Sequence, residues 1–490
     1  MSDPQHHTVE KIGGTSMADW PSCRNNIFLR DPKQLYQRIF VVSAYAGVTN
    51  LLLEHKKTST PGVYALFANN DTDWAWGDKL NDVSQYLCEI NAKLFEDPLL
   101  LNQANQFVYE RVEGVRSVLM DLQRLCSYGH FQLANHLLTV REMLSAIGEA
   151  QSAWNTVELL KLEGVRARFV DLSGWRESDC FSLSEKIARS IQGIDLSQEL
   201  PIVTGYCHCQ EGLMKSYDRG YSEITFSALA VVSKAKEAII HKEYHLSSAD
   251  PKLVGEEKVK PIGSTNYDVA DQLSNLGMEA IHPRAAQGLR QNDIPLRIKN
   301  TFEPEHQGTL ITSDYRSQTP RVEIIAGQES VYALSVFDQE MVGSKGYEEK
   351  ILQTVHRFKA KPVGKDMNAN CIVQYLDSNL KNMRRVEQEL QQQLPQADIS
   401  WQKLAMVAAI GSDLAVPGML LRCVQSLSKA GINILAIHQC PRQVDIRFVV
   451  AEEDYKATVS HLHQALVEQQ LAKSNDSTDK PKASKSHQAA

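Results

Sequence analysis

No stretch of this 490-residue sequence approaches the run of about 20 apolar residues that a membrane-spanning helix requires, and no cationic start leads into a short apolar segment at the N-terminus. A cytoplasmic protein with no membrane partner is therefore expected. Positive charge is also short: 52 Lys and Arg face 59 Asp and Glu, a net charge of -7, so no basic surface is available to hold nucleic acid. Small molecules and further copies of the chain are the partners to expect. Cysteine supplies no disulfide framework, because nine residues are scattered along a chain that lacks a secretion signal. Cys207, His208 and Cys209 form the one cluster, yet alternate residues on a strand face opposite ways and no second ligand pair has zinc spacing. No metal site is expected there. What is present, 43% hydrophobic residues in a chain long enough for about three domains, describes a globular protein with ordinary cores.

Residues 9–16, Val-Glu-Lys-Ile-Gly-Gly-Thr-Ser, organise the rest. Val9 and Ile12 make a short apolar strand, and Gly13 and Gly14 then let the backbone turn tightly and approach a ligand with no side chain in the way. Lys11 sits on that turn. Ser16 and Asp19 have the form of an N-cap pair, which predicts a helix whose free N–H groups point back at the glycines. Such a turn suits a phosphoryl group; an ordinary strand-to-helix turn with a solvated lysine fits the same residues.

A second unit of this kind follows, with an apolar strand at 39–44 and a loop at 46–50 leading into a helix at 51–53. Buried apolar strands of this sort belong to a parallel sheet covered by helices, whose ligands lie beyond the carboxyl ends of the strands. Thr49 and Asn50 are then placed to bond a substrate, unless Thr49 caps the helix. Residues 73–153 read as several helices, with apolar positions at helical spacing at Leu119, Leu122 and Leu125, and again at Leu137, Leu138 and Met143. Among them Glu149 follows Gly148 near the start of a helical stretch. Strands are expected at 168–170 and 201–206, and residues 218–225 open an apolar helix that runs to about 235. Arg219, Gly220 and Ser222 at that helix N-terminus make an anion site, since a guanidinium can grip a carboxylate with both arms. Strands at 238–240, 295–298 and 309–312, a strand edge at 281–283 and helices at 269–276 and 285–290 complete one open α/β domain, residues 1–320.

The texture changes from about 321. A strand at 331–336, a loop at 343–346 and a helix at 347–359 are repeated as a strand at 404–410, a loop ending at Pro417-Gly418 and a helix at 419–429. Paired β-α-β-β-α-β modules over 321–472 are expected. Residues 473–490, rich in Ser, Lys, Asp and Ala, read as a disordered tail.

In this order and at these spacings the segments resemble the aspartate kinases over nearly the whole chain. Residues 11–16 are similar to the family's Lys-Phe-Gly-Gly-Thr-Ser, 42–50 to its Val-Ser-Ala...Gly-Val-Thr-Asn, and Gly148-Glu149 to its Gly-Glu. Arg219, Gly220 and Ser222 match its Gly-Arg-Gly-Gly-Ser-Asp loop, 249–251 its Ala-Asp-Pro, and His282-Pro283 its His-Pro; residues 430–434 resemble an ACT-domain signature. The resemblance implies an amino-acid-kinase domain of the carbamate-kinase type, an open α/β sheet with helices on both faces, followed by tandem ACT domains. It implies transfer of the ATP γ-phosphoryl group to the side-chain carboxylate of L-aspartate, with Mg2+ riding on the nucleotide. Carried over, Lys11 would neutralise charge on the phosphoryl group in flight, with Glu223 organising the lysines. Gly13, Gly14 and Ser16 would cradle phosphates, and Lys242, Asp250 and Lys252 would lie on the nucleotide side. Arg219 would clamp a carboxylate of aspartate beside Ser222, while Thr49 and Glu149 orient the substrate and its ammonium.

The sequence departs from the family at named places. Glu223 stands for the family's Asp, Tyr221 for its third glycine, residues 241–245 for Thr-Asp-Val-Asp-Gly, and Glu279 for a lysine near the His-Pro element. Lys242, Lys252 or Arg284 is expected to supply the missing positive charge. These peculiarities, with the run at 305–310, resemble the specialised aspartate kinases of ectoine biosynthesis. In the ACT pair, Ser344, Gly346, Pro417 and Gly418 with Asn433 opposite are the expected contacts of an amino-acid effector, threonine or lysine, and the pair is expected to join copies of the chain. His438 departs from the small hydroxyl residues usual at its strand end, so altered feedback or simple dimerisation are both open. So is a non-catalytic amino-acid sensor that keeps the fold without nucleotide chemistry.

Overall fold

The computed structural model describes residues 6–56, 58–69, 74–217, 220–278 and 280–468. Arg219, Glu279 and the tail expected at 473–490 lie outside the described residues. Two compact units emerge: Met1–His245 with Ile281–Ser313, and Leu246–Ala280 with Asp314–Ala490. The segment Leu246–Ala280, grouped with the N-terminal domain when the sequence is read linearly, thus belongs to the second unit.

In the first unit the strands are β1 (Thr8–Ile12), β2 (Arg38–Val42), β3 (Ala167–Val170), β4 (Leu200–Thr204), β5 (Glu237–Lys242), β7 (Leu296–Asn300) and β8 (Thr309–Thr312), numbered along the chain. They follow in the order β3-β4-β2-β1-β5-β7-β8. Every pairing up to β7 is parallel, and β7 with β8 is antiparallel. β1 is central, with β2 and β5 on its flanks and all five of its residues buried, so its own carboxyl end and those of β2, β4 and β5 open onto one rim. Ligands of parallel sheets bind along such a rim.

The helical region comprises Ala75–Leu94, Pro98–Cys126 and Leu137–Leu162. The last of these corrects the sequence expectation. Glu149 lies in the middle of this 26-residue helix, not near a start. Periodicity is weak there because the helix is enclosed on all sides, with residues 144–153 buried without a break. Gly148 is tolerated inside the helix for a steric reason: a Cβ would come within 2.6 Å of Val48 Cγ1 and 2.8 Å of Ala44 Cβ. The expected strand edge at 281–283 is likewise not a strand. His282 caps the helix Pro283–Gln291, its side chain accepting from the Arg284 amide.

The second unit holds β6 (Ser264–Asn266) and a six-stranded antiparallel sheet ordered β10-β11-β9-β12-β14-β13. Here β9 is Ile324–Phe337, β10 Lys361–Met367, β11 Cys371–Asp377, β12 Asp398–Ile410, β13 Ala436–Gln439 and β14 Asp445–Ala451. The paired modules share β9 and β12. These two long strands run antiparallel side by side, with a register shift between Leu404 and Met406, so each module takes about half of both. One core gathers Leu334, Val336, Ile351, Leu376 and Val386, and the other Val407, Met419, Cys423, Phe448 and Leu462 together with Ala249 and Val254. The repeat is legible in the backbone, since Gly346 and Gly418 stand immediately before equivalent helices, both left-handed, at φ 96° and 86°. Side chains of the two end strands reach each other, with His438 Nε2 of β13 lying 3.2 Å from Asp366 Oδ2 of β10.

Candidate active site

At the end of β1 the chain turns at Gly13, which has an ordinary φ of -73°, into a short helix Gly14–Met17. The two glycines have different reasons to be there. A Cβ on Gly14 would sit 2.5 Å from the carbonyl oxygen of Ala44, so the loop after β2 forbids any side chain. A Cβ on Gly13 would meet only the His241 carbonyl, at an ordinary 3.6 Å. The Gly13 amide is engaged by that same carbonyl at 3.3 Å, which leaves the donors of the following turn to face a ligand. Gly14→Ala should therefore destabilise the fold by about 1–3 kcal/mol through overpacking. Gly13→Ala should keep the wild-type melting temperature and raise the KM for nucleotide; thermal unfolding and ATP titration of the two variants separate these effects.

The N-cap expectation for Ser16 and Asp19 needs correction. Ser16 lies inside the first turn, fully buried, with its hydroxyl 2.9 Å from that of Thr301. Asp19 caps the next helix by accepting from the Ser22 amide. Nor does Thr49 cap its helix: Gly47, left-handed at φ 86°, is the N-cap, and Thr49 sits in the first turn at the rim.

Four of the expected residues converge. Lys11 Nζ lies 3.4 Å from Glu223 Oε1, with both side chains largely withdrawn from solvent, and Glu223 Oε2 accepts from the His282 amide. Burial alone would raise the Glu223 carboxyl, but the charges of Lys11 and Lys242 and the amide bring it below its ordinary value. It is a fixed anion. Ser222, one residue earlier on the Tyr221–Ser233 helix, donates its hydroxyl to Glu149 Oε1 at 2.6 Å. Glu149 is 2% exposed, and beside Ser222 the backbone amides of Tyr206 and Ala44 lie against its carboxylate. Burial pushes its carboxyl up to about 8 against the opposing pull of Ser222 and Lys11. Two carboxylates thus share one rim with contrasting states, one ionised beside lysines and one poised to change charge near neutrality.

Lys242 ends β5 and acts on Glu223 through its charge. Asp250 and Lys252 lie in the second compact unit, where Asp250 caps the helix Pro251–Val254 through the Lys252 amide. Ser344, Gly346, Pro417, Gly418 and Asn433 are all exposed; the Ser344 hydroxyl donates to the Glu340 carbonyl, and no atom would crowd a Cβ on Gly346 or Gly418.

Sequence reasoning missed a buried network below the turn. Glu10, in the central strand, accepts from Arg38 at 2.6 Å and lies 2.7 Å from His241 Nε2. Arg38 holds the Glu10 carboxyl far below its usual range despite burial, and burial keeps His241 below its own. The departure at residue 241 is therefore answered inside the core, by a side chain bonded to β1. The available signal was a glutamate in an otherwise buried strand, which demands a partner.

Residues 7–300 match the amino acid kinase family and residues 407–466 an ACT domain. The chain is 53% identical over 464 residues to aspartate kinase Ask_Ect of Stutzerimonas stutzeri, covering 94% of this chain and 98% of that protein. It is similar in fold to Escherichia coli aspartokinase III in complex with aspartate and ADP, with a TM-score of 0.71 at 20% identity over 94% of this chain and 99% of the other. The same enzyme in complex with lysine and aspartate matches with a TM-score of 0.72 at 19% identity, over 94% and 100% of the two chains.

Proposed function

The chain belongs to the amino acid kinase family and is an aspartate kinase, and on that premise we propose how its residues carry the transfer. The reaction joins a side-chain carboxylate oxygen of L-aspartate to the γ-phosphorus of ATP and breaks the bond to the β-phosphate oxygen, giving L-aspartyl-4-phosphate and ADP. The acceptor carboxylate is already ionised at neutral pH, so no general base is needed. The obstacle is bringing an anion to a polyanion, and the answer is alignment with buried positive charge. The observation that carries this reading is Lys11 at the end of the central strand, held by ionised Glu223 beside the Ser222–Glu149 pair.

In this reading Lys11 meets the transferred group, and Glu223 positions it. Gly13, Gly14 and the first turn bearing Ser16 receive phosphates. Glu149 takes the substrate ammonium, Thr49 and Ser222 flank it, and Arg219 takes a carboxylate. Asp250 and Lys252 serve the nucleotide. Both buried carboxylates of the rim already have partners in Lys11 and Ser222, which suits an ion carried by phosphates better than one caged by the protein. Mg2+ entering with ATP would supply charge neutralisation on the phosphates. In sequence the catalytic part spans residues 1–320, apart from Leu246–Ala280, which belongs to the second compact unit, and the regulatory part spans 321–472, where threonine or lysine would bind near Ser344, Gly346, Pro417, Gly418 and Asn433. Leu421, Leu435 and Ile437, exposed on that part, suit contact with a second copy. The similarity to aspartate kinase Ask_Ect supports a product that feeds ectoine synthesis as well as ordinary amino acids. Among the described residues no helix is long and apolar enough to cross a membrane.

The non-catalytic sensor has little to recommend it, because a sensor has no use for a buried lysine, its anion and a poised acceptor carboxylate together. Of the three candidates for the missing cation, Lys242 is the one whose charge reaches Glu223. Lys242→Ala should raise the KM for ATP about tenfold, the scale of one lost charged contact. Lys252→Ala should do so less, and Arg284→Ala should leave it unchanged. Steady-state ADP release at saturating aspartate checks the order, and an unchanged KM for Lys242→Ala removes that residue from the nucleotide side.

A further inference from the structure

Seven residues before Glu149, two turns earlier on the same face of the Leu137–Leu162 helix, stands a second carboxylate, Glu142. Nothing in the phosphoryl transfer uses it. Its two oxygens nevertheless hold the segment that follows β4. Oε2 accepts from the Tyr206 hydroxyl, and Oε1 accepts from the Met214 amide at 2.9 Å, at the start of the helix Leu213–Tyr217. One side chain thus anchors both ends of the connection from residue 206 to residue 214.

The anchored segment touches the acceptor residues in two places. Gly205, next to Tyr206, is pressed on Glu149 so closely that a Cβ there would lie 2.8 Å from Glu149 Oε2, and the Tyr206 amide lies against the same carboxylate. The Tyr206 ring meets Tyr221 edge to face at 5.7 Å, and Tyr221 immediately precedes Ser222, the donor to Glu149. Tyr221 is also where the sequence departs from the family's third glycine, so the aromatic pair occupies space that a glycine leaves empty.

Buried as it is, Tyr206 has open space on one side. A cavity of about 450 Å³ adjoins it, lined also by Glu142, Met143, Ile147, Trp175 and His208. A ring that borders a void can turn into it, at the loss of few contacts, unless a directed bond fixes it. Burial and the charge of Glu142 keep the Tyr206 hydroxyl protonated, so it remains a donor at any working pH.

We propose that Glu142 is a positioning residue for the acceptor site: through Tyr206 and the Met214 amide it braces the 205–217 segment, and with it Gly205 and Tyr221, against Glu149. The brace acts on aspartate and leaves the nucleotide side alone. The inference rests on the assignment of Glu149 and Ser222 to the substrate.

Tyr206→Phe removes one oxygen atom, and Glu142→Gln keeps an acceptor for only one of the two donors. Each should raise the KM for aspartate about tenfold while the KM for ATP stays within about twofold, since a hydrogen bond to a charged group is lost. Because both changes break one unit, the double variant should also stand near tenfold and not near the hundredfold product. A merely structural role moves both KM values together and lowers the melting temperature in proportion, and that outcome overturns the brace. So does an aspartate KM unchanged in both single variants, or two effects that multiply. Should Glu142→Gln fail to fold, the KM split in Tyr206→Phe decides alone. Glu149→Gln is run beside them: an unaltered aspartate KM there removes the substrate assignment itself, and the brace with it, whereas a raised value with Tyr206→Phe unaffected removes the brace only.

Discussion

Replacing Lys11 by Ala should cut aspartate-dependent ADP release by about 10³-fold or more in kcat, in a protein that still folds. The size follows from what the lysine does: in a water-poor site a donor aimed at developing charge is worth about 10²–10³ in rate, and Lys11 carries a full charge in addition. The fold should survive because Glu223, the anion left behind, keeps the His282 amide and the charge of Lys242. Lys11→Arg should recover only part of the rate, since a planar guanidinium cannot occupy the place of a compact ammonium on a strand end enclosed by β2 and β5. Single-turnover measurements with pre-bound ATP isolate the chemical step from binding. A Lys11→Ala variant that turns over within tenfold of wild type would place the reacting phosphoryl group elsewhere.

The second large effect concerns Glu149 and pH. Its carboxyl, pushed up to about 8 by burial, is mostly neutral at pH 7 in the free protein and ionised only above about 8. If the anion is what receives the aspartate ammonium, kcat/KM for aspartate rises about tenfold per pH unit up to about pH 8 and then levels. The KM for ATP should not follow this rise. Glu149→Gln should flatten the profile and lower kcat/KM for aspartate by about 10²-fold, the cost of leaving a bound ammonium without its counter-charge. Stability moves the other way. The carboxyl titrates near 4.5 when unfolded and higher when folded, so between those values the native state holds a proton that the unfolded chain has released. Wild-type stability therefore falls as pH rises through this window, and Glu149→Gln, which never ionises, should melt several degrees higher than wild type at pH 8. Lower activity with higher stability in one variant is the signature of a buried group kept for function. A profile that stays steep in Glu149→Gln would assign the titration to another residue.

Much of this site could be read before any coordinates. Gly13, Gly14 and Lys11 announce a ligand turn because a strand, two small residues and a cation are local features, and local features survive in the order of residues. Lys11 with Glu223, and Glu149 with Ser222, are another matter. These partners stand 212 and 73 residues apart, and only the resemblance to a family, not any spacing, suggested that they share a rim. The errors have physical causes as well. Glu149 reads as the start of a helix because a helix buried on all sides has no polar stripe to betray its length. Ser16 reads as a cap because its hydroxyl is chemically suited to one, while Thr301, its actual partner, is far away in sequence.

What the sequence by itself determined is the alternation of buried strands and helices, the glycine turn, the repeat of a strand, a loop and a helix in the C-terminal part, and the acidic composition that directs attention to small molecules and further copies of the chain. These are properties of short windows, set by hydrophobic period and backbone freedom. The tertiary structure alone decided that Gly14 is required by the Ala44 carbonyl while Gly13 is not, and that β9 and β12 are each shared by two modules. It also decided that His241 answers Glu10 within the core, and that Glu142 reaches across to Tyr206 and Met214. Each of these depends on which atoms meet when strands from distant parts of the chain lie side by side, and the free energy of a buried charge or a crowded carbonyl exists only once that meeting has occurred.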